Sequence, residues 1–257
     1  MKCLPALAVT LLLSVVVTTA RADELLLWDN YPGDVLQDVT YNMTSERNTQ
    51  IGESTWVVDD VDLVEEPDAP RPDSIWLTRL EWVGAFDPRF TYSHADVTLL
   101  DENFQTVLEL ADLEYTVKDI HDDPNDPYYN PAADTTTYVA ELNFDSPISL
   151  AELGEDEQPL EYFFIGVRLV GDGDNQGRNY FVTSSKDTTL RGREQGHVKA
   201  ATFGAPYFRP ASDVWFGTPD GTRAENFEFA FRLYAVPEPA SVVLLSVGSL
   251  ALLARRR

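Results

Sequence analysis

An all-β fold, a single sandwich of jelly-roll or immunoglobulin-like outline, is predicted for the long middle stretch of this sequence. Three observations carry the prediction. Tyr138, Ala140, Leu142 and Phe144 alternate with Val139, Glu141 and Asn143, the period-two pattern of a strand with one buried face. Tyr162 to Val170 is almost unbroken apolar sequence, as a central strand covered on both sides requires. No stretch of ten or more residues repeats apolar groups at helical spacing.

In chain order, residues 1–22 read as a secretory signal peptide. Lys2 supplies the positive start, and Leu4 to Val17 is apolar apart from Thr10 and Ser14. Ala20-Arg21-Ala22 offers the small-x-small pattern that signal peptidase reads, so cleavage is expected to leave Asp23 at the new amino end. Cys3, the chain's one cysteine, leaves with that segment, so the exported domain has neither thiol nor disulfide and depends on its core.

Residues 23–236 form the expected domain. Thr55 to Leu63 alternates weakly and stops at Glu65-Glu66-Pro67, and the three prolines between Pro67 and Pro72 mark a loop. Ser74 to Phe86 reads as a strand with a bulge before Leu80 and Trp82. Val97 to Leu100 and Thr106 to Leu110 flank Asp101-Glu102-Asn103 as a hairpin. Tyr115 to Ile120, the 138–144 strand, Tyr162 to Val170 and Tyr180 to Thr183 follow. Asn226 to Val236 closes the domain, with Phe227, Phe229, Phe231 and Leu233 expected inward and Glu228 and Arg232 outward. Trp28, Trp56, Trp76, Trp82 and Trp215 sit mostly in strand-like runs and read as core before they read as a sugar platform.

Charge excludes several partners. Of 19 basic residues, five lie in the end segments (Lys2, Arg21, Arg255, Arg256, Arg257), and of 43 acidic residues only Glu238 does. The stretch between holds 14 basic and 42 acidic residues, a net charge of about −28. Such a surface repels the phosphates of nucleic acid and anionic lipid. The simplest reading is that the charge keeps a secreted β protein soluble; a sharper one is that clustered carboxylates hold divalent cations outside the cell.

Candidate sites are few. His94, His121 and His197 show no metal-ligand spacing, and no G-x-S-x-G turn marks a nucleophile, so no catalytic residue is assigned and the protein is expected not to be an enzyme. Asp172-Gly173-Asp174-Asn175-Gln176-Gly177 begins like a calcium loop, with Asp172 and Asp174 as ligands. Gln176 breaks the pattern, however, and Thr183 stands where a bidentate Glu closes an EF-hand. The plainer reading is a turn between strands, with no cofactor and calcium as the alternative. His121 to Asp134 is an acidic, proline-rich loop in which Asp122, Asp123, Asp126, Tyr128 and Tyr129 are candidate ligand groups, rings for stacking on a sugar beside carboxylates. The same tyrosines are equally suited to pinning the loop. Paired carboxylates for glycan hydrolysis are a third option, decided by their separation in space.

At the end of the chain Pro237-Glu238-Pro239 is followed by Ala240 to Ala254, which carries no charge, and by Arg255-Arg256-Arg257. As a helix those fifteen residues span roughly 22 Å, short of a hydrocarbon core of about 30 Å. The arginines place the terminus in the cytoplasm and the domain outside. Residues 237–257 resemble the PEP-CTERM sorting signal. The resemblance implies recognition by exosortase, a membrane-embedded cysteine protease-transferase cutting near the tripeptide, and delivery to the cell surface or matrix, often alongside exopolysaccharide. Signal peptidase and exosortase are thus the expected partners, with transient anchoring in the inner membrane through the C-terminal hydrophobic helix. The expected role is structural or adhesive; the alternative is a carbohydrate-binding module, calcium-assisted.

Overall fold

The computed structural model describes residues 24–30, 42–64, 75–87, 89–121, 136–154, 158–174, 177–185, 193–201, 205–214 and 227–237. The first strands are β1 (Leu25–Asp29), β2 (Asn42–Thr44), β3 (Glu46–Asn48), β4 (Glu53–Asp62) and β5 (Ile75–Phe86). β6 (Phe90–Leu100), β7 (Thr106–Leu113), β8 (Thr116–His121) and β9 (Thr136–Ser149) follow, then the single-turn helix α1 (Leu150–Leu153). β10 (Tyr162–Gly173), β11 (Asn179–Ser185), β12 (His197–Ala200) and β13 (Ala205–Pro210) precede a second single turn, α2 (Ala211–Val214). β14 (Glu228–Phe229) and β15 (Phe231–Pro237) end the described chain.

These strands make two sheets packed as a sandwich. In the first, β5 is central. β9 lies antiparallel along one side, while β15 and then β11 follow each other along the opposite side. β1 pairs with β15, β8 with β9, and both β2 and β14 with β11. In the second sheet β10 lies between β4 and β6, with β7 outside β6 and β12 and β13 outside β4. The short β3 is antiparallel to β4 and parallel to the end of β10.

The alternation read from sequence is the alternation observed. Tyr138, Ala140, Leu142 and Phe144 are buried between the sheets together with Leu80, Trp82, Phe163, Val97 and Leu233. Fully burying each such side chain is worth about 1.5–3 kcal/mol. The bulge expected in β5 is present at Thr78, between Leu77 opposite Ala235 and Arg79 opposite Tyr234 of β15. The unbroken apolar run of β10 has the expected cause. Phe163, Ile165, Val167 and Leu169 face the main core, whereas Phe164 joins Val58 and Leu100 in a second cluster on the outer face. That cluster is capped from the β6–β7 turn. Asp101 accepts the N–H groups of Asn103 and Gln105, each at 2.8 Å, and Phe104 takes a left-handed conformation (φ 58°). Its ring then stacks 4.4 Å from Phe164.

Two glycines allow close approaches. Gly84 pairs with Tyr138, and a Cβ there would fall 2.2 Å from the phenol ring, whose hydroxyl donates to Asn179 Oδ1 at 2.8 Å. Gly171 sits at the β6–β10 bulge, where a Cβ would lie 1.9 Å from the Thr91 carbonyl oxygen. Trp28, Trp56 and Trp82 are buried as expected and Trp76 is half-buried; Trp215 lies outside the described residues.

One assignment is corrected. Glu228, expected to face solvent, is 5 % exposed. It follows Phe227 and precedes Phe229, both inside the core, at the short β14 segment that pairs with β11. Alternation names a face of the strand, and here that face is closed by Asn30 and Asp59.

Candidate functional site

Among the described residues eight acidic side chains are buried, and most of them meet a cation. Asp96 faces Arg47 and Arg168, Glu46 faces Arg178, Asp62 faces Arg193, Asp87 faces Arg89, and Glu81 faces Lys118 and Arg232. This is the usual requirement for a carboxylate removed from water.

Asp59 and Asp60 depart from it. They are 1 % and 0 % exposed, and no Lys or Arg makes an ion pair with either among the described residues. Strand pairing explains where they point. Among the described residues β12 runs beside β4 only from Thr55 to Val58, which leaves positions 59 and 60 without a sheet partner on that side. Backbone N–H groups of the neighbouring segments fill it. Asp60 Oδ2 accepts from the N–H of Arg193 at 2.7 Å and of Glu194 at 3.0 Å. Asp59 Oδ2 accepts from Phe229 N–H at 2.7 Å and from the Asn30 amide at 3.2 Å, and Asp59 Oδ1 accepts the Asp60 N–H at 3.1 Å. The same Asn30 nitrogen donates to Glu228 Oε2 at 2.9 Å.

Glu228 is thereby drawn onto the aspartates. One oxygen from each of Asp59, Asp60 and Glu228 lies within 4.8 Å of the others. Burial, followed by the charges of Glu228 and Asp60, pushes the Asp59 carboxyl well above the usual carboxylate range. Burial likewise pushes Asp60 up to about 6, against the pull of the two N–H donors. Asp60 Oδ1 accepts no hydrogen bond. The Tyr162 hydroxyl comes up against this carboxyl without forming a bond of full geometry and is itself buried without a partner. Oxygen-only donors in a cysteine-free domain suit a proton or a hard cation.

The residues singled out in the sequence fare differently. Asp172, within β10, accepts from the Thr49 hydroxyl, and Asp174 Oδ1 accepts Gly177 N–H at 2.6 Å. Both are exposed; the Asp174 bond closes a local turn, whereas the Asp172 bond ties β10 to the residue that follows β3. Neither belongs to the group of three carboxylates. Asp122, Asp123, Asp126, Tyr128 and Tyr129 lie outside the described residues, as do Ala20, Ala22, Asp23, Glu238, Pro239 and Arg255 to Arg257. Pro237 is described. It is the last residue of β15, opposite Ile75 of β5, one step past Val236 opposite Trp76. Among the described residues no helix is long and apolar enough to cross a membrane; residues 240–254 are not among them.

The surroundings of two histidines are described. His94 is half-buried beside its neighbour Ser93, with Nδ1 2.9 Å from Oγ. His197 is buried, its ring 4.6 Å from Phe104 and 5.3 Å from Phe164, with Nε2 3.4 Å from Glu194 Oε2. Burial pulls its imidazole down to about 4, although the Gln195 backbone and the Asp213 charge act the other way. An unfolded chain binds this proton from about 6.5 downward, whereas the folded chain refuses it until about 4. The contribution of His197 to stability is therefore expected to be level above pH 6.5 and to fall between pH 6.5 and 4, opposite in sign to that of the raised Asp59 and Asp60 carboxyls. Thermal unfolding at pH 7 and pH 5 checks this: the drop in Tm should shrink in His197→Gln, and an equal drop in both proteins would refute the assignment.

Residues 235–257 match the PEP-CTERM protein-sorting motif family. No curated protein and no solved structure matches the chain. The matched segment opens at Ala235, inside β15, so the sorting signal starts on the folded sheet. A signal of this family, processed by exosortase, marks the chain as an exported protein destined for the cell surface.

Proposed function

We propose that the protein is a non-catalytic structural or adhesive component of the bacterial surface layer or its exopolysaccharide matrix. It crosses the inner membrane behind the 1–22 signal peptide, is held briefly by the 240–254 segment with its terminus in the cytoplasm, and is processed near Pro237. The observation that carries this reading is the sorting motif joined directly to the last strand of a β-sandwich. Such a sandwich, without a flexible spacer before Pro237, is a compact cargo. Its large negative charge suits a hydrated matrix and opposes collapse onto itself.

The intact mass of the protein recovered from the surface fraction tests the reading. A species that starts at Asp23 and ends near Pro237 is expected. A mass retaining Ala240 to Arg257 would mean a permanently membrane-held protein and would sink it.

Carbohydrate binding is the second reading, and one exposed ring favours it. Tyr207 is 78 % exposed on β13, an edge strand that itself contains Pro206 and Pro210. Such a ring offers a face for stacking on a sugar. Retardation of the native protein in gels containing the host's exopolysaccharide, lost in Tyr207→Ala, would favour this module over a purely structural role.

A further inference from the structure

We propose that Asp59, Asp60 and Glu228 bind a divalent cation of the calcium class, which ties the end of β4 to the β14 segment. Three observations lead there. First, these buried carboxylates converge within 4.8 Å. Calcium takes oxygen ligands at 2.3–2.6 Å, which sets ligand oxygens up to about 5 Å apart. Second, Asp96, Glu46, Asp62, Asp87 and Glu81 all meet Arg or Lys, whereas Asp59 and Asp60 meet only neutral N–H donors. Those donors hold the carboxylates in place but leave their charge uncompensated. Third, Asp60, fully buried, keeps Oδ1 without a hydrogen bond of full geometry, with only the neutral Tyr162 hydroxyl against the carboxyl.

The position of the cluster suggests what the ion does. Its members and their clamp come from remote parts of the chain: Asn30 and Glu228 are 198 residues apart, and Asp59 and Phe229 are 170 apart. A bound cation joins β4 of one sheet to β14 of the other. It replaces mutual repulsion by shared coordination in a domain that has no disulfide. The donor set is all oxygen, without thiolate or imidazole, which favours calcium over zinc or copper. The rival occupant is a proton shared within the cluster, to which the upward shifts of Asp59 and Asp60 also correspond. The two differ in their response to added metal.

The test uses the mature protein from the surface fraction, stripped with a chelator at pH 7. Calcium is expected to raise Tm in a saturable way, and Tb3+ to give emission sensitised by aromatic residues. Asp60→Asn and Glu228→Gln should each abolish both responses. They should also melt no lower than the metal-free parent, because repulsion is relieved. Asp172→Asn combined with Asp174→Asn should leave both responses intact. A parent that ignores millimolar calcium and magnesium overturns the proposal in favour of the proton. So does a response that survives in the folded Asp60→Asn variant. Should the variants fail to fold, anomalous scattering from Tb3+-soaked crystals decides: a peak among the three carboxylates supports the site, and peaks only elsewhere overturn it.

Discussion

Asp96→Ala is expected to cost about 3–5 kcal/mol of stability, the range for removing one member of a buried ion pair. Asp96 is 0 % exposed and gathers four donors. Arg47 approaches through Nε at 2.9 Å and Nη2 at 3.1 Å, Arg168 through Nε at 2.9 Å, and the Asp112 N–H at 3.0 Å. Strand register creates the arrangement, since Asp96 of β6 stands directly opposite Arg168 of β10. Burial raises this carboxyl, but Arg47, the Asp112 N–H and Arg168 outweigh it and hold it below the usual range. Its contribution is therefore present at neutral pH and lost as pH falls through the folded value. Without Asp96, the guanidinium of Arg168 would stay buried against the Trp56 ring (3.9 Å), with Ser54 at 2.7 Å and Glu109 at 3.7 Å. Urea denaturation measures the loss through the midpoint at unchanged m. Asp96→Leu combined with Arg168→Met should recover part of it, because replacing both charges by apolar groups removes the stranded cation. A loss below about 1 kcal/mol for Asp96→Ala would show that solvent screens the network as it screens exposed pairs.

The second large effect is on processing. Pro237→Ala with Glu238→Ala is expected to leave export across the inner membrane intact and to trap the protein with its tail uncut. The fold gives a reason to expect no collateral unfolding. Pro237 closes β15 opposite Ile75, while pairing with β1 reaches only to Ala235 opposite Leu25. A proline is tolerated at such a strand end, which β1 does not reach, and alanine restores an N–H without touching the core. Mass spectrometry of membrane and surface fractions reads the outcome. Normal tail removal in the double variant would refute processing by exosortase at this tripeptide.

Much of the sandwich was legible because its signals are local. The 138–144 alternation, the β5 bulge and the hairpin around Asp101 each depend on residues a few positions apart, and each stands where expected. The short strands β2, β3 and β12 carry too few residues to show a period, and their place comes from the neighbours they pair with. β6 begins at Phe90, earlier than its apolar run at Val97, because Phe90 to Ala95 pair with β10 along Leu169 to Gly173 rather than through a strong pattern of their own. Phe104 in a left-handed turn was equally hidden, since its ring is held by Phe164 on another strand.

The sequence by itself determined the sorting signal, the β class and the cysteine-free, acidic character of the exported domain. These are contiguous or compositional properties, and hydrophobic burial at period two carries them into the fold without long-range information. Only the tertiary structure decided which of the many acids matter. Asp59 and Asp60 lie in a stretch whose weak alternation singles out neither, and Glu228 lies on a face that alternation marks for solvent. They meet because β12 stops at Val58 and because Asn30 clamps two carboxylates that are far apart along the chain. Electrostatics in a protein interior depends on who stands opposite whom, and in a β-sandwich that is set by register between distant strands.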